Sequence, residues 1–257
     1  MKKILTAALG MFALSMVPAS AADMAARPYT KALAPMIAAM YDWSGFYIGI
    51  NGGGAWSRKC WDVNNALGVA LNPAIAEGCH NANGGVVGGQ FGYRWQSAAW
   101  VFGLEAQGDW ANLSGSSLSN PLAFGAGVTN RSRIDAIGLF TAQVGYAVNN
   151  VLFYVKGGAM GVNDKYDGSV TATSVVFDRA SETRWGGAIG AGLDFGITQN
   201  VVLGVDYMHG FMGCKDNNFS AVIGGGFSRR DRICQDVDMV TARLSYKFGG
   251  GAVVAKY

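Results

Sequence analysis

The sequence predicts an all-β fold, an eight-stranded antiparallel up-and-down transmembrane β-barrel. Three observations lead there: short segments alternate bulky apolar with small or polar residues, their connections alternate long and short, and charge is scarce while glycine is abundant. Charged residues make up 14% of the chain, against about 25% in an ordinary soluble domain. The 38 glycines among 257 residues are about twice the usual share. Glycine is poor in helix interiors, so a large soluble helical protein is excluded, and the apolar and aromatic content excludes disorder.

The first element is a targeting segment. Met1-Lys2-Lys3 precedes the apolar run Ile4–Val17 and the small residues Ala19-Ser20-Ala21, the pattern of a secretory signal peptide cleaved after Ala21. Cleavage takes the formal charge from +3 to +1. A near-neutral chain has no dense basic face, so nucleic acid is not an expected partner. Residues 22–42 carry Pro28 and Pro35 with no sustained period and read as a periplasmic linker, a short helix at 36–40 being the alternative.

Eight strands follow between Trp43 and Phe248, identified by period-two alternation. In the first, Phe46, Ile48 and Ile50 lie opposite Tyr47, Gly49 and Asn51. The second sets Phe91, Tyr93 and Trp95 against Gln90, Gly92 and Arg94, and the third Trp100, Phe102 and Leu104 against Gly103, Glu105 and Asp109. The fourth opposes Phe140 and Val144 to Thr141 and Gln143, and the fifth Phe153 and Val155 to Tyr154 and Lys156. The sixth opposes Ile189 and Leu193 to Gly190 and Asp194, the seventh Leu203 and Val205 to Gly204 and Asp206, and the eighth Leu244 and Tyr246 to Arg243 and Lys247. The 206 residues of this span suit eight membrane strands of about 9 to 11 residues, whereas sixteen would leave almost no loops.

A soluble sandwich alternates too, and connection lengths decide between them. Residues 96–99, 149–150 and 198–200 are short turns; 57–83, 112–131, 163–181 and 213–231 read as long loops. Short periplasmic turns facing long outer loops are the pattern of an outer-membrane barrel, with its apolar face turned to lipid. Pro73 and Pro121 fall inside the first two long loops, so proline interrupts no expected strand. Trp43, Trp95, Trp100, Trp110, Trp185, Tyr146, Tyr207 and Tyr246 stand near strand ends, where aromatic girdles form.

The four cysteines bracket two of these loops, Cys60 and Cys79 the first, Cys214 and Cys234 the fourth. In an exported chain they read as two disulfides, each closing a loop of about 20 residues for about 3 kcal/mol. Zinc with His80 beside Cys79 is the rival, disfavoured because no close Cys-x-x-Cys pair exists. Four acids, Glu105, Asp109, Asp194 and Asp206, and four bases, Arg94, Lys156, Arg243 and Lys247, share the inward face. Eight strands enclose a lumen that side chains fill, so these groups are expected to pair as a structural network, a gated solute path being the minor reading. His80 and His209 are the chain's histidines; no serine is near His209 in sequence, so catalysis is not expected. Gly187, Gly190 and Gly192 lie within an alternating strand with no helix after it, so they are small lumen residues and not a nucleotide loop.

The segments Asp42-Trp-Ser-Gly-Phe-Tyr-Ile-Gly-Ile-Asn51, Gly88-Gly-Gln-Phe-Gly-Tyr93, Val144-Gly-Tyr-Ala147, Leu244-Ser-Tyr-Lys-Phe248 and Val253-Val-Ala-Lys-Tyr257 carry a resemblance across the whole chain. It resembles the small eight-stranded outer-membrane proteins of alphaproteobacteria, the RopB-like surface antigens, within the opacity-porin-like barrel group. The resemblance implies integral residence in the Gram-negative outer membrane, with outer-membrane lipid and the barrel-assembly machinery as partners. It implies envelope-integrity, structural or antigenic roles, no enzymatic activity and no cofactor. Porin activity, haem binding and adhesion through loops are the alternatives, with no residue of this chain assigned to them. A terminal aromatic serves as assembly signal in many such barrels; Phe248 and Tyr257 are the two candidates, the second ending an extension over 249–257.

Overall fold

All eight alternating segments are extended in the computed structural model, which describes residues 41–124 and 127–249. In order they are β1 (Gly45–Ala66), β2 (Val69–Ser97), β3 (Trp100–Leu118), β4 (Val128–Val148), β5 (Val151–Val170), β6 (Val176–Gly196), β7 (Val201–Ala221) and β8 (Phe227–Lys247). Each pairs antiparallel with its chain neighbours and β8 pairs with β1, so the sheet closes and leaves no free outer edge strand. A helical turn, α1 (Pro121–Phe124), joins β3 to β4. The expected signal cleavage site at Ala21, most of the 22–42 linker and the C-terminal residues through Tyr257 lie outside the described residues.

The register sets the tilt. From Trp56 of β1 it passes Asp238, His209, Ile189, Gly157, Ala142, Leu104 and Tyr93 on successive strands, returning to β1 at Phe46, ten residues below its start. For eight strands that stagger corresponds to a tilt of about 40°. The curvature needs small residues. A Cβ on Gly53, Gly84 or Gly158 would strike the carbonyl of Val240, Asn112 or Phe140 on the next strand.

The outward face divides at one level. Phe46, Ile48, Ile50, Phe91, Leu104, Phe140, Val155, Ile189 and Leu203 are exposed around a continuous apolar band. Trp56, Trp110 and Trp185 mark its outer rim, and Trp95, Trp100, Tyr146, Tyr246 and Phe248 the opposite one. On β1 the band runs from Phe46 to Trp56, which matches about 9 to 11 residues for a tilted crossing of the hydrocarbon.

Four expectations need correction. The long outer loops at 57–83, 112–131, 163–181 and 213–231 are largely strand: β1 and β2 continue to Ala66 and Val69, and the other hairpins likewise. Beyond the rim, water wets the outer face, so both faces of these extensions are partly polar and no hydrophobic contrast marks them. Cys60–Cys79 and Cys214–Cys234 are accordingly cross-strand rungs within β1–β2 and β7–β8, with Cα atoms 4.1 and 3.9 Å apart, rather than clasps at the base of loops. Pro73 falls inside β2, in a stretch where the register with β1 shifts and no ladder bond is asked of it. Trp43, expected in a girdle, is fully buried inside the barrel mouth.

Candidate functional site

The lumen is filled in layers. At the periplasmic mouth Tyr41 and Trp43, just ahead of β1, fold inward onto Val101, Leu152 and Val202. The Tyr41 hydroxyl donates to the Thr198 carbonyl (2.9 Å), and the Trp43 amide donates to Gln96 Oε1 (2.8 Å). Lys247 Nζ donates to the Asp42 carbonyl, holding the same segment in place. Tyr41, near the end of the expected linker, and Trp43, the first residue of the expected barrel, are thus a stopper.

Above it lies the charged layer, built from inward positions of six strands. Arg94 Nη2 meets Asp194 Oδ2 at 2.6 Å, and Lys156 Nζ meets Glu105 Oε1 at 3.1 Å. Lys156 also pairs with Asp206 and Arg243 with Glu105, while Arg243 Nη1 stands 3.8 Å from Asp206. Tyr47 donates to Glu105 (2.7 Å), Thr241 to Asp206 (2.7 Å) and Tyr154 to Asp194 (3.4 Å). The Arg94 guanidinium stacks 4.7 Å over the Tyr47 ring. Buried charge persists only when paired and hydrogen-bonded, and six of the eight residues named from sequence meet that condition here. Asp109 and Lys247 stand apart: Asp109 accepts from Gln107 Nε2 (2.9 Å) and forms no ion pair among the described residues, and Lys247 serves the mouth.

The next layer is apolar: Leu113, Ile134, Ile137, Leu139, Met160, Met208 and Met239, with Val86, Val162 and Val237 beside them. Inward glycines make room for the large side chains. A Cβ on Gly190 would strike Met208, one on Gly210 Met160, one on Gly92 Tyr47 and one on Gly192 Tyr154. This is where much of the glycine excess is used. Alternating small and large residues let the eight-stranded lumen close at side-chain packing density.

Above the rim lies a second polar system, in spans where the alternation predicts loops. Lys59 pairs with Asp164 and donates to Gln235, its ammonium 5.2 Å from the centre of the Tyr166 ring, which packs with Trp61 and Phe219. Arg229, fully buried, gathers Glu77 (3.0 Å), Asp178 (3.0 Å), Asp231 (3.2 Å) and the side-chain oxygen Oδ1 of Asn130 (3.0 Å). Burial pushes the Asp231 carboxyl up to about 8, against the pull of Arg229. His80 sits between Ser117 (3.1 Å) and Ser132 (2.9 Å), its pKa held down to about 4 by burial and the Lys59 charge. The β6–β7 ladder is interrupted between Arg179–Ser220 and Gly187–Phe211. Side chains bridge this gap: Arg184 Nη1 donates to the Gly213 and Ile233 carbonyls, and Glu182 accepts from Arg184 and Lys215. Parity held the missed signal, since Lys59 and Trp61 continue the odd-numbered inward face of Tyr47 and Asn51.

On the outer wall, just inside the rim, His209 Nδ1 lies 2.7 Å from Asp238 Oδ1, and the Tyr207 hydroxyl donates to the same oxygen (2.5 Å). In register His209 stands beside Ile189 and Asp238 beside Trp56, with the Phe211 ring 4.4 Å from the imidazole. Phe248, a candidate assembly signal, is exposed at the periplasmic end and its amide donates to the Phe46 carbonyl.

Comparison with known proteins agrees with this geometry. The chain is 30% identical over 233 residues to the 31 kDa outer-membrane immunogenic protein of Brucella melitensis, covering 85% of this chain and 92% of that one. The protein of the same description from Brucella suis matches equally. The crystal structure of the outer membrane protein OprG from Pseudomonas aeruginosa superposes with a TM-score of 0.52 at 13% identity, over 80% of this chain and 97% of that one, a likeness of fold alone. The outer membrane protein beta-barrel domain family matches residues 5–248. A closed eight-stranded ring with an apolar outer band, a filled lumen and these relatives make this chain a member of the outer-membrane β-barrel protein family, integral to the outer membrane.

Proposed function

We propose that this barrel is a closed, non-conducting and non-enzymatic component that contributes to envelope integrity and holds a rigid β-sheet extension outside the membrane. The observation that carries the reading is the apolar layer around Met160, Met208 and Met239, each fully or almost fully buried, crossing the lumen between two charged layers. A diffusion pore needs a continuous wetted path, and both this layer and the Tyr41–Trp43 stopper stand across it. The non-enzymatic part rests on the surroundings of His209 and Asp238: the neighbours are Ile189, Trp56 and Phe211, and the Tyr207 hydroxyl is already spent on the same carboxylate. The surface role rests on ladders that run to the hairpin tips, which make the extracellular part an ordered sheet rather than free loops.

The test is conductance in planar bilayers. The wild-type barrel is expected to give no defined single-channel step, whereas Met160→Gly combined with Met208→Gly and Trp43→Gly opens one. A defined step in the wild type overturns the closed reading. Cells lacking the protein should admit detergent faster, and the non-conducting wild type should restore the barrier.

A further inference from the structure

The four extracellular hairpins share a property that the strands below them lack. Residues 63–76, 115–130, 168–177 and 217–227, one segment per hairpin, contain no charged residue. Large apolar side chains stand exposed on all four tips: Leu67 (84%), Leu122 (80%), Val175 (60%) and Ile223 (92%), joined by Val69, Leu118, Val222 and Phe227. Single exposed apolar residues are ordinary, but the same choice at every tip of a water-facing crown marks an interaction surface. The crown is far from the barrel's own membrane. Leu67 is eleven residues beyond the Trp56 rim, about 28 Å at about 3.3 Å per residue and a tilt of about 40°.

Below the crown the wall changes sign. Between rim and tips eight Arg and Lys are exposed among the described residues: Arg133, Arg179, Lys165 and Lys215 are ion-paired to Asp167, Asp135 and Glu182, while Arg58, Arg131, Arg230 and Arg232 form no ion pair among the described residues and stand against two exposed aspartates, Asp216 and Asp236. The remaining acids of this part are half-buried or buried, most of them against Arg229, Arg184 and Lys59. A partner that accepts uncharged apolar tips and then meets a basic wall is apolar inside and anionic at its surface. That is the chemistry of a lipid bilayer with acidic headgroups. A second copy docking crown to crown would bring two basic walls together, and a nucleic acid or acidic polysaccharide would find no charge at the tips.

We propose that the four hairpin tips insert shallowly into an apposed membrane with anionic headgroups, the basic wall beneath supplying the electrostatic part of the attachment. The full barrel in phosphatidylcholine nanodiscs is mixed with vesicles of phosphatidylcholine alone or with added phosphatidylglycerol, and flotation of nanodiscs with vesicles is read. Flotation is expected with the anionic vesicles, weaker with the neutral ones. The triple variant Leu67→Asp, Leu122→Asp, Ile223→Asp should lose it by about tenfold or more while keeping the heat-modifiable gel mobility of a folded barrel. Ile223→Trp should be quenched by brominated acyl chains in the vesicles, which adsorption by charge alone does not produce. Unchanged flotation of the triple variant, or no quenching, overturns the proposal. Self-association of wild-type nanodiscs without vesicles overturns it in favour of a protein partner for the crown.

Discussion

The membrane half and the extracellular half of this barrel are built on the same ladder and obey different rules on the outside only. Below the rim the outward positions are Phe, Ile, Leu and Val; above it, in the same strands and with the same parity, they are Arg, Lys, Asn, Ser and Asp. Inside, the two halves are alike: each has a paired charge cluster, around Glu105 and Arg243 in one and around Arg229 in the other, separated by the methionine layer. The outer face answers to its solvent, lipid or water, while the lumen is shielded from both at every height. Charge therefore marks the lumen in the membrane half but marks nothing by itself above the rim.

Glu105→Ala leaves Lys156 and Arg243 buried with Asp206 as their shared remaining partner, and should cost about 3 to 5 kcal/mol, read as a lower urea midpoint of the refolded barrel in micelles. Arg229→Met, with its carboxylates free to protonate, should leave the membrane half folded and expose only the upper hairpins to protease. Next, Ile189→Arg on the lipid face should cost about 2 to 4 kcal/mol in bilayers, whereas Asn83→Arg, outward but level with Trp56 in register, should stay within about 0.5 kcal/mol. Equal effects at the two sites would place the membrane band elsewhere.

The disulfides come third. Replacing Cys214 and Cys234 by Ser should lower stability by up to about 3 kcal/mol, with loosening confined to the upper β7–β8 ladder in hydrogen exchange. The smallest effect is a pH slope. Folding raises the Asp231 pKa to about 8, so the native state holds a proton that the unfolded state gives up, and stability falls as pH rises through that window. His80, lowered to about 4, works the other way only below its unfolded value of about 6.5. Between about pH 6.5 and 8 His80 no longer contributes, and local stability of upper β8 should fall as pH rises. Asp231→Asn should flatten that slope in hydrogen exchange corrected for intrinsic rates.

Much of this architecture is a local property of the chain. Alternation is decided residue by residue, so strand number, strand order and the inward placement of Arg94, Glu105, Lys156, Asp194, Asp206 and Arg243 were determined by the sequence itself. Hydrophobic contrast stops at the rim, so the continuation of β1 to Ala66, the position of Cys60 opposite Cys79 and the inward course of Lys59 were not visible there. Closure decided the rest. Arg94 and Asp194 are 100 residues apart, Arg243 and Glu105 138, and only a ten-residue stagger around eight strands brings them to one level. Trp43 and Tyr41 became a stopper for the same reason. A residue beside a strand can plug a lumen only after the ring around it has closed.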